Sequence, residues 1–167
     1  MQFLFTLMNE KEARAILAWH YDGPYAVYNM HSDNSASLTE FLDRRSPYYA
    51  VHDEQEQIVG FFSFGTSSMV EGYDEPALYL KERTLTIGCG MRPDLTGQGL
   101  GLSFVQAGLE FAKKSFTPDR FRLFVYRWNT RAIRVYERAG FQHAGILVRP
   151  EDHGEGKFLE MSRDLDH

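Results

Sequence analysis

The order of apolar and polar positions predicts short strands that alternate with amphipathic helices along the chain. Apolar runs with strand-like composition lie at residues 2–7, 48–53, 57–65, 84–91, 120–128, 141–148 and 157–165. Apolar residues at helical spacing predict helices after Asn9, after Ser37, from about Gly99 to Ser115, and after Asn129 or Thr130. The middle of the chain reads strand, helix, strand, helix, which predicts an α/β fold with some parallel pairing.

Capping residues support these helix boundaries. Asn9 with Glu12 and Ser37 with Glu40 have the spacing of capping boxes, and Gly140 is expected to end the last helix. Repeats, linkers and low-complexity segments do not occur in the sequence. Residues 1–167 are therefore predicted to form a single domain.

Composition and charge exclude several classes of protein. The chain has 167 residues and one cysteine, Cys89, so an internal disulfide and a Cys-rich metal site are ruled out. The histidines have no metal-like spacing, so no metal site is predicted. No apolar stretch suits a membrane span, and the first residues lack the pattern of a signal peptide, so we expect a cytoplasmic protein.

The net charge of −5 argues against general nucleic-acid binding, yet the charge is unevenly spread. The segment from Arg92 to Arg138 holds nine Lys and Arg against four Asp and Glu. A basic segment in an acidic protein suits an anionic cofactor beside a cationic substrate. Solvated helix faces that happen to be basic are an equal alternative.

A glycine-rich turn, "TGQGLG" at residues 96–101, lies between a predicted strand and a predicted helix. Such a turn exposes backbone N–H groups at the positive end of the helix, which is a ready anion site. A dinucleotide fingerprint would need glycine where Leu102 or Phe104 stands, and no Gly-Lys-Ser/Thr triplet occurs. Tight glycine packing against the sheet, without a ligand, is the alternative explanation.

Two stretches resemble signatures of the GNAT superfamily of N-acetyltransferases. The stretch "MRPDLTGQGLGLSFVQAGLEFA" resembles the family's pyrophosphate-binding motif, Q/R-x-x-G-x-G/A, with Gly99 and Gly101 as its glycines. The stretch "WNTRAIRVYERAGFQHAG" resembles the second signature, with Asn129, Ala132 and Tyr136 at its marked positions. Both occur in family order, and the specific resemblance runs from about residue 84 to residue 145.

The resemblance implies a single GNAT-like α/β domain, with a mixed central sheet flanked by helices and splayed central strands. It implies transfer of an acetyl group from acetyl-CoA to a primary amine by direct attack. The pantetheine arm would lie beside strand 84–91, where Gly88 and Gly90 permit a close approach. Tyr136 would donate a proton to the departing thiolate. The implied cofactor-binding residues are Cys89, Gly90, Met91, Thr96, Gly97, Gln98, Gly99, Leu100, Gly101 and Asn129.

The sequence departs from the family pattern at two positions. Thr96 stands where family members carry Gln or Arg, so a charge is missing there, with Gln98 or Arg92 as possible helpers. Phe124 stands where some family members carry a catalytic glutamate. The sequence therefore does not identify the residue that acts as the general base. The candidates are Glu82, Glu71, Asp74, Glu75 and the histidines.

Other interpretations also stay open. The chain could bind acyl-CoA as a sensor or structural module without turnover, or Cys89 could act as a covalent nucleophile, although a lone strand cysteine is more often a packed residue. The aromatic residues of "WHYDGPYAVYN" could line an acceptor pocket or pack a compact loop. They are Trp19, Tyr21, Tyr25 and Tyr28. Neither the acceptor nor the choice between monomer and homodimer is predicted.

Overall fold

A computed structural model describes residues 1–30, 35–70, 73, 75–79, 82–148 and 157–166. Its strands are β1 (Leu4–Leu7), β2 (Tyr48–His52), β3 (Ile58–Phe64), β4 (Thr84–Met91), β5 (Arg120–Tyr126), β6 (Gln142–Val148) and β7 (Lys157–Asp164). Its α-helices are α1 (Glu10–Leu17), α2 (Ser35–Leu42), α3 (Gly101–Phe116) and α4 (Thr130–Arg138). Short 3₁₀ helices lie at Gly23–Tyr28, Thr66–Ser68 and Pro93–Leu95.

The strands form one seven-stranded mixed sheet in the order β1-β2-β3-β4-β5-β7-β6. Neighbouring strands are antiparallel except β4 and β5, which are parallel and joined through α3. Parallel neighbours need a crossover connection, and a helix is the usual one. The predicted α/β fold with a mixed central sheet is confirmed.

Helices cover both faces of the sheet. On one face, α3 packs so closely that a β-carbon at Gly108 would lie 2.1 Å from the ring of Phe62, which is fully buried. The larger core cluster on this face joins α3 to β3, β4 and β5. On the other face, α1 and α2 close a second cluster around Phe41, Tyr48 and Phe61.

The pairing between β4 and β5 ends early. Only Thr84–Thr86 pair with Arg120–Arg122, although β4 continues to Met91 and β5 to Tyr126. The two strands therefore diverge beyond Thr86, and the predicted splay of the central strands is confirmed. We refer below to the space between the diverging ends as the gap.

Local boundaries follow the sequence in most places. Asn9 and Glu12 form the predicted capping box, and Gly140 ends α4 with a left-handed φ of 97°. The capping box predicted at Ser37 is wrong, because α2 begins at Ser35 and Ser37 lies within it. The loop predicted between the last strands falls at residues 149–156, outside the described residues. No described helix has the length and apolar character that crossing a membrane requires.

Candidate active site

The gap is bordered on one side by backbone groups of β4. The Thr86 carbonyl accepts from Gly65 and the Arg92 N–H donates to Val59, so even-numbered residues of β4 direct their backbone groups towards the β3 side. Backbone direction alternates along a strand, so Cys89 and Met91 direct theirs into the gap. Gly90 directs its backbone towards β3, and its predicted backbone contact to a cofactor therefore has no support.

The glycines of β4 make room for side chains of β3. A β-carbon at Gly88 would lie 2.6 Å from the Ser63 hydroxyl, and one at Gly90 would lie 2.6 Å from the Phe61 ring. Each pair is in direct register across the two strands. Packing within the sheet therefore explains both glycines, without the close approach by a pantetheine arm that the family resemblance implies.

Cys89 and Tyr136 meet on the α4 side of the gap. The Cys89 Sγ lies 3.4 Å from the Tyr136 hydroxyl, and both side chains are half-buried. Burial raises the pKa of the Cys89 thiol to about 11. Burial, followed by the neighbouring Cys89, raises the pKa of Tyr136 well above its ordinary value. Both groups therefore keep their protons at neutral pH, which suits Tyr136 as a proton donor and disfavours Cys89 as a nucleophile.

The 21–28 segment, from Tyr21 to Tyr28, links the two sides of the gap. The Tyr21 hydroxyl donates to the Met91 carbonyl oxygen at 2.5 Å, so this end is attached to β4. The Tyr28 hydroxyl accepts from Asn129 Nδ2 at 2.9 Å, so the other end is attached to the start of α4. The Tyr28 ring also packs edge-on against Tyr126 of β5. The aromatic residues of this segment could line a pocket or pack a compact loop. Because Tyr21 and Tyr28 contact β4, β5 and α4 at the gap, the structure favours the first alternative.

Asn129 serves the protein's own structure with both ends of its amide. Its Oδ1 accepts from the Ala132 N–H and caps α4, while its Nδ2 donates to Tyr28. The residue is buried. The amide oxygen and the amide nitrogen can each make one further hydrogen bond, so the direct contact to a cofactor stays a prediction. Its observed role is to hold α4 and Tyr28 together.

The three glycines of the turn have different structural roles. Gly97 and Gly99 have left-handed φ angles of 74° and 80°, which other residues rarely adopt. Gly101 begins α3, and a β-carbon there would lie 3.2 Å from Val135 of α4. Gly99 has open space where its side chain would be. No side chain caps the start of α3, and the first N–H groups of a helix have no partner within the helix itself.

The side chains predicted to help the turn are already engaged by protein atoms. The Thr96 hydroxyl donates to the Pro93 carbonyl oxygen at 2.7 Å, and Gln98 Nε2 donates to the Asp94 carbonyl oxygen at 2.5 Å. Arg92 donates to the Asp94 carboxylate and to the Ile58 carbonyl oxygen. Leu100 lies at the N-cap of α3 and offers only backbone. The turn itself is therefore a site of backbone amides.

The structure brings none of the described candidate bases into contact with Tyr136 or Cys89. Glu82 is exposed just before β4, at the end opposite to Cys89, and Glu75 is also exposed. His20 lies next to Tyr21 and pairs with Asp22. Glu71 and Asp74 lie outside the described residues. His52 pairs with Glu12, and His143 with Glu137. The pKa of Tyr136 is raised by burial, by Cys89 and by Tyr28. No described carboxylate or histidine contributes to this shift.

A cavity of about 590 Å³ lies at the opposite end of α3 from the glycine turn. Its lining includes Lys113, Thr117, Gly140 and Arg163. Its lining includes neither Cys89, Met91 nor Tyr136, so its size does not make it the active site. Among the described residues, no group of His, Cys, Asp or Glu side chains is arranged to hold a metal ion.

Comparison with known proteins identifies the family. The sequence profile described as the acetyltransferase (GNAT) family matches residues 13–141, which is most of the chain. The chain belongs to the GNAT family of acetyltransferases. The profile covers the gap, the glycine turn and Tyr136 together.

Solved structures of the family share the fold. AAC(6')-Ib in complex with acetyl-CoA is 19% identical and superposes with a TM-score of 0.72, covering 98% of this chain and 94% of that one. Mutant forms of the spermidine/spermine N-acetyltransferase SpeG from Vibrio cholerae are 17% identical, with a TM-score of 0.68 and coverage of 96% and 93%. At these identities the likeness establishes the fold alone.

Sequence reasoning missed two features of the site. It did not join Tyr28 to Asn129, because the two are 101 residues apart and only the fold brings them together. It also did not identify Arg131 as a site residue. The Arg131 guanidinium lies over the Tyr25 ring, 4.2 Å from the ring centre. The basic segment around it was the available signal, but it did not single out one arginine.

We predict that Cys89 reacts slowly with alkylating reagents. A pKa of about 11, raised by burial, leaves roughly a hundredfold less thiolate at pH 7.5 than an ordinary cysteine has. Intact-mass measurement of iodoacetamide labelling should show a slow rate that climbs with pH. Urea-unfolded protein is the control, because its Cys89 should label at an ordinary rate. Equal rates for folded and unfolded protein at pH 7.5 would contradict the prediction.

Proposed function

We propose that residues 1–167 form one N-acetyltransferase domain that transfers an acetyl group from acetyl-CoA to a primary amine. The observation that carries the proposal is the end of β4–β5 pairing at Thr86, which leaves the backbone of Cys89 and Met91 facing a gap beside Tyr136. The GNAT family assignment supports it. The free thiol of Cys89 suits a reducing compartment, and we propose the cytoplasm.

The turn and the gap would hold different parts of acetyl-CoA. The N–H groups at the start of α3 would bind the pyrophosphate, with room provided at Gly99. The pantetheine arm would run along β4, where backbone groups of Cys89 and Met91 face the gap. Their N–H groups would also polarise the acetyl carbonyl.

The chemistry is a direct transfer. The amine nitrogen forms a bond to the thioester carbonyl carbon, and the carbon–sulfur bond breaks with its electron pair moving to sulfur. Tyr136 donates its hydroxyl proton to that sulfur and regains a proton from water. The extra proton on the product nitrogen passes to water. Cys89 stays a protonated thiol that contacts Tyr136.

The amine enters in its neutral form. The groups that shift the pKa of Cys89 and Tyr136 include no described carboxylate or histidine that could take up a proton. A neutral amine needs no base before it attacks. The acceptor enters from the side of the 21–28 segment, because Tyr21 and Tyr28 border the gap there.

Release of free CoA thiol from acetyl-CoA, measured over a panel of amines, tests the proposed function. We expect turnover with at least one primary amine, and kcat/KM should rise with pH towards the amine's own pKa, about 10.4 for an alkyl amine like lysine. CoA binding without turnover on any amine would favour the alternative, a CoA-binding module. A stable acetyl adduct on Cys89 would instead support a covalent mechanism.

We predict that Gly99→Ala removes most of the stabilisation that CoA gives the protein. The new methyl group would occupy the open space at the turn, where we propose that the pyrophosphate binds. Wild-type protein should gain about 2.7 kcal/mol at a hundredfold excess of CoA over its Kd, measured by thermal unfolding.

Gly140→Ala is the control for this experiment. Gly140 also has a left-handed φ, 97°, so an alanine there is strained as well. It follows the end of α4 farthest from the glycine turn, and the atoms nearest to its β-carbon would be those of the Arg163 side chain. Both should unfold at a lower temperature without ligand, but only Gly99→Ala should lose the shift caused by CoA. If CoA raises the unfolding temperature of Gly99→Ala as much as that of wild type, the phosphates must bind elsewhere.

We predict that Tyr136→Phe lowers kcat by about 10²–10⁴-fold, the usual contribution of a positioned acid. The ring that packs against Phe141 is kept, so folding and CoA affinity should change little. Because burial raises the pKa of Tyr136, wild-type activity should show no loss from its ionisation below pH 10. Steady-state kinetics and CoA titration measure both effects.

Tyr49→Phe is the control for Tyr136→Phe. Tyr49 lies on β2, away from the gap, and is half-buried. Its ring packs against Phe111 of α3. The Tyr49→Phe change should leave kcat unchanged. A Tyr136→Phe enzyme with wild-type kcat on its best amine would remove Tyr136 from the mechanism.

A further inference from the structure

The glycine turn lacks a positive charge of its own. Thr96 occupies the position where the family motif has Gln or Arg, and its hydroxyl donates to Pro93. Arg92, the arginine next to the turn in sequence, is bound to Asp94 and to the Ile58 carbonyl. A site that binds a doubly charged pyrophosphate on neutral amides alone would forgo the stronger charge-assisted hydrogen bonds.

Arg131 of α4 brings a guanidinium to this turn from elsewhere in the chain. Its Nη1 lies 3.5 Å from the position that a β-carbon of Gly97 would occupy. The contact between Gly101 and Val135 explains the approach, because it packs the start of α3 directly against α4. The arginine is exposed, and it makes no ion pair with any described carboxylate.

The guanidinium is also held in place. It lies over the ring of Tyr25 at 4.2 Å from the centre, a cation–π contact. Tyr25 in turn packs against Trp128. Stacking on an aromatic face leaves the edge of the guanidinium free, and that edge carries the N–H donors that bind phosphate in pairs. A guanidinium already oriented by Tyr25 loses less freedom when it binds an anion.

We propose that Arg131 binds the pyrophosphate of CoA and supplies the charge that Thr96 does not. This inference rests on the proposed function, since it assumes that the glycine turn is the CoA site. The positive charge would thus come from the first turn of the neighbouring helix instead of from the first position of the glycine turn. Because Arg131 stacks on Tyr25, the cofactor's phosphate is linked to the 21–28 segment that borders the acceptor's entrance.

Binding of CoA and of pantetheine to three variants tests the proposal. Arg131→Ala should weaken CoA binding by about 10- to 100-fold, the effect of losing a charge-assisted hydrogen bond, measured by calorimetric titration. The CoA affinity of Arg131→Lys should lie between those of Arg131→Ala and wild type, because lysine keeps the charge but lacks the planar guanidinium. Arg138→Ala removes the same charge from the last turn of α4 and should bind CoA like wild type.

Pantetheine carries no phosphate, so its binding should be the same in all variants and wild type. Wild-type CoA affinity in Arg131→Ala would overturn this inference while leaving the proposed function standing. An equal loss for pantetheine and CoA would also overturn it, because Arg131 would then act through the structure of the gap. Failure of wild-type protein to bind CoA at all would instead refute the proposed function.

Discussion

The early end of hydrogen bonding between β4 and β5 is the constraint on which the rest of the site depends. Backbone groups of a central strand normally pair on both sides, and unpaired ones are costly when buried. Beyond Thr86, β4 keeps β3 on one side and faces the gap on the other. The strand can therefore offer a ligand a row of oriented amides without unfolding any part of the sheet. Chain-like ligands suit such an edge because they can extend the pairing.

The two faces of the sheet contribute different chemistry to this gap. From the α4 side come Tyr136 and its neighbour Cys89, both kept protonated by burial. From the other side come Tyr21 and Tyr28, and burial also raises the pKa of Tyr28, to about 12. Among the described residues, the groups that border the gap from both faces are therefore protonated hydroxyl and thiol groups. In the function proposed here, such groups would give a proton to the departing thiolate, and the acceptor amine would arrive neutral.

Asn129 and Arg131 tie these parts together at the start of α4. Asn129 fixes the helix and Tyr28 with one amide group, and Arg131 rests on Tyr25 beside the glycine turn. The start of this one helix therefore contacts the glycine turn, Tyr28 at the gap and Tyr25 of the 21–28 segment. The small residue at Gly101 permits this, since a larger one would push α4 away through Val135.

The sequence by itself determined the elements that local chemistry specifies. Alternating apolar residues placed β4 at Thr84–Met91, and the Asn9 side chain placed the start of α1. The glycine turn and the stretch that begins at Asn129 together identified the family. The tertiary structure decided what distant segments do to one another. It gave Gly88 and Gly90 a role in packing against β3, committed Asn129 to Tyr28, and brought Arg131 to the turn. Local patterns record backbone preference and burial, whereas these contacts depend on how α4 and the 21–28 segment are placed across the sheet, and that placement is a property of the whole core.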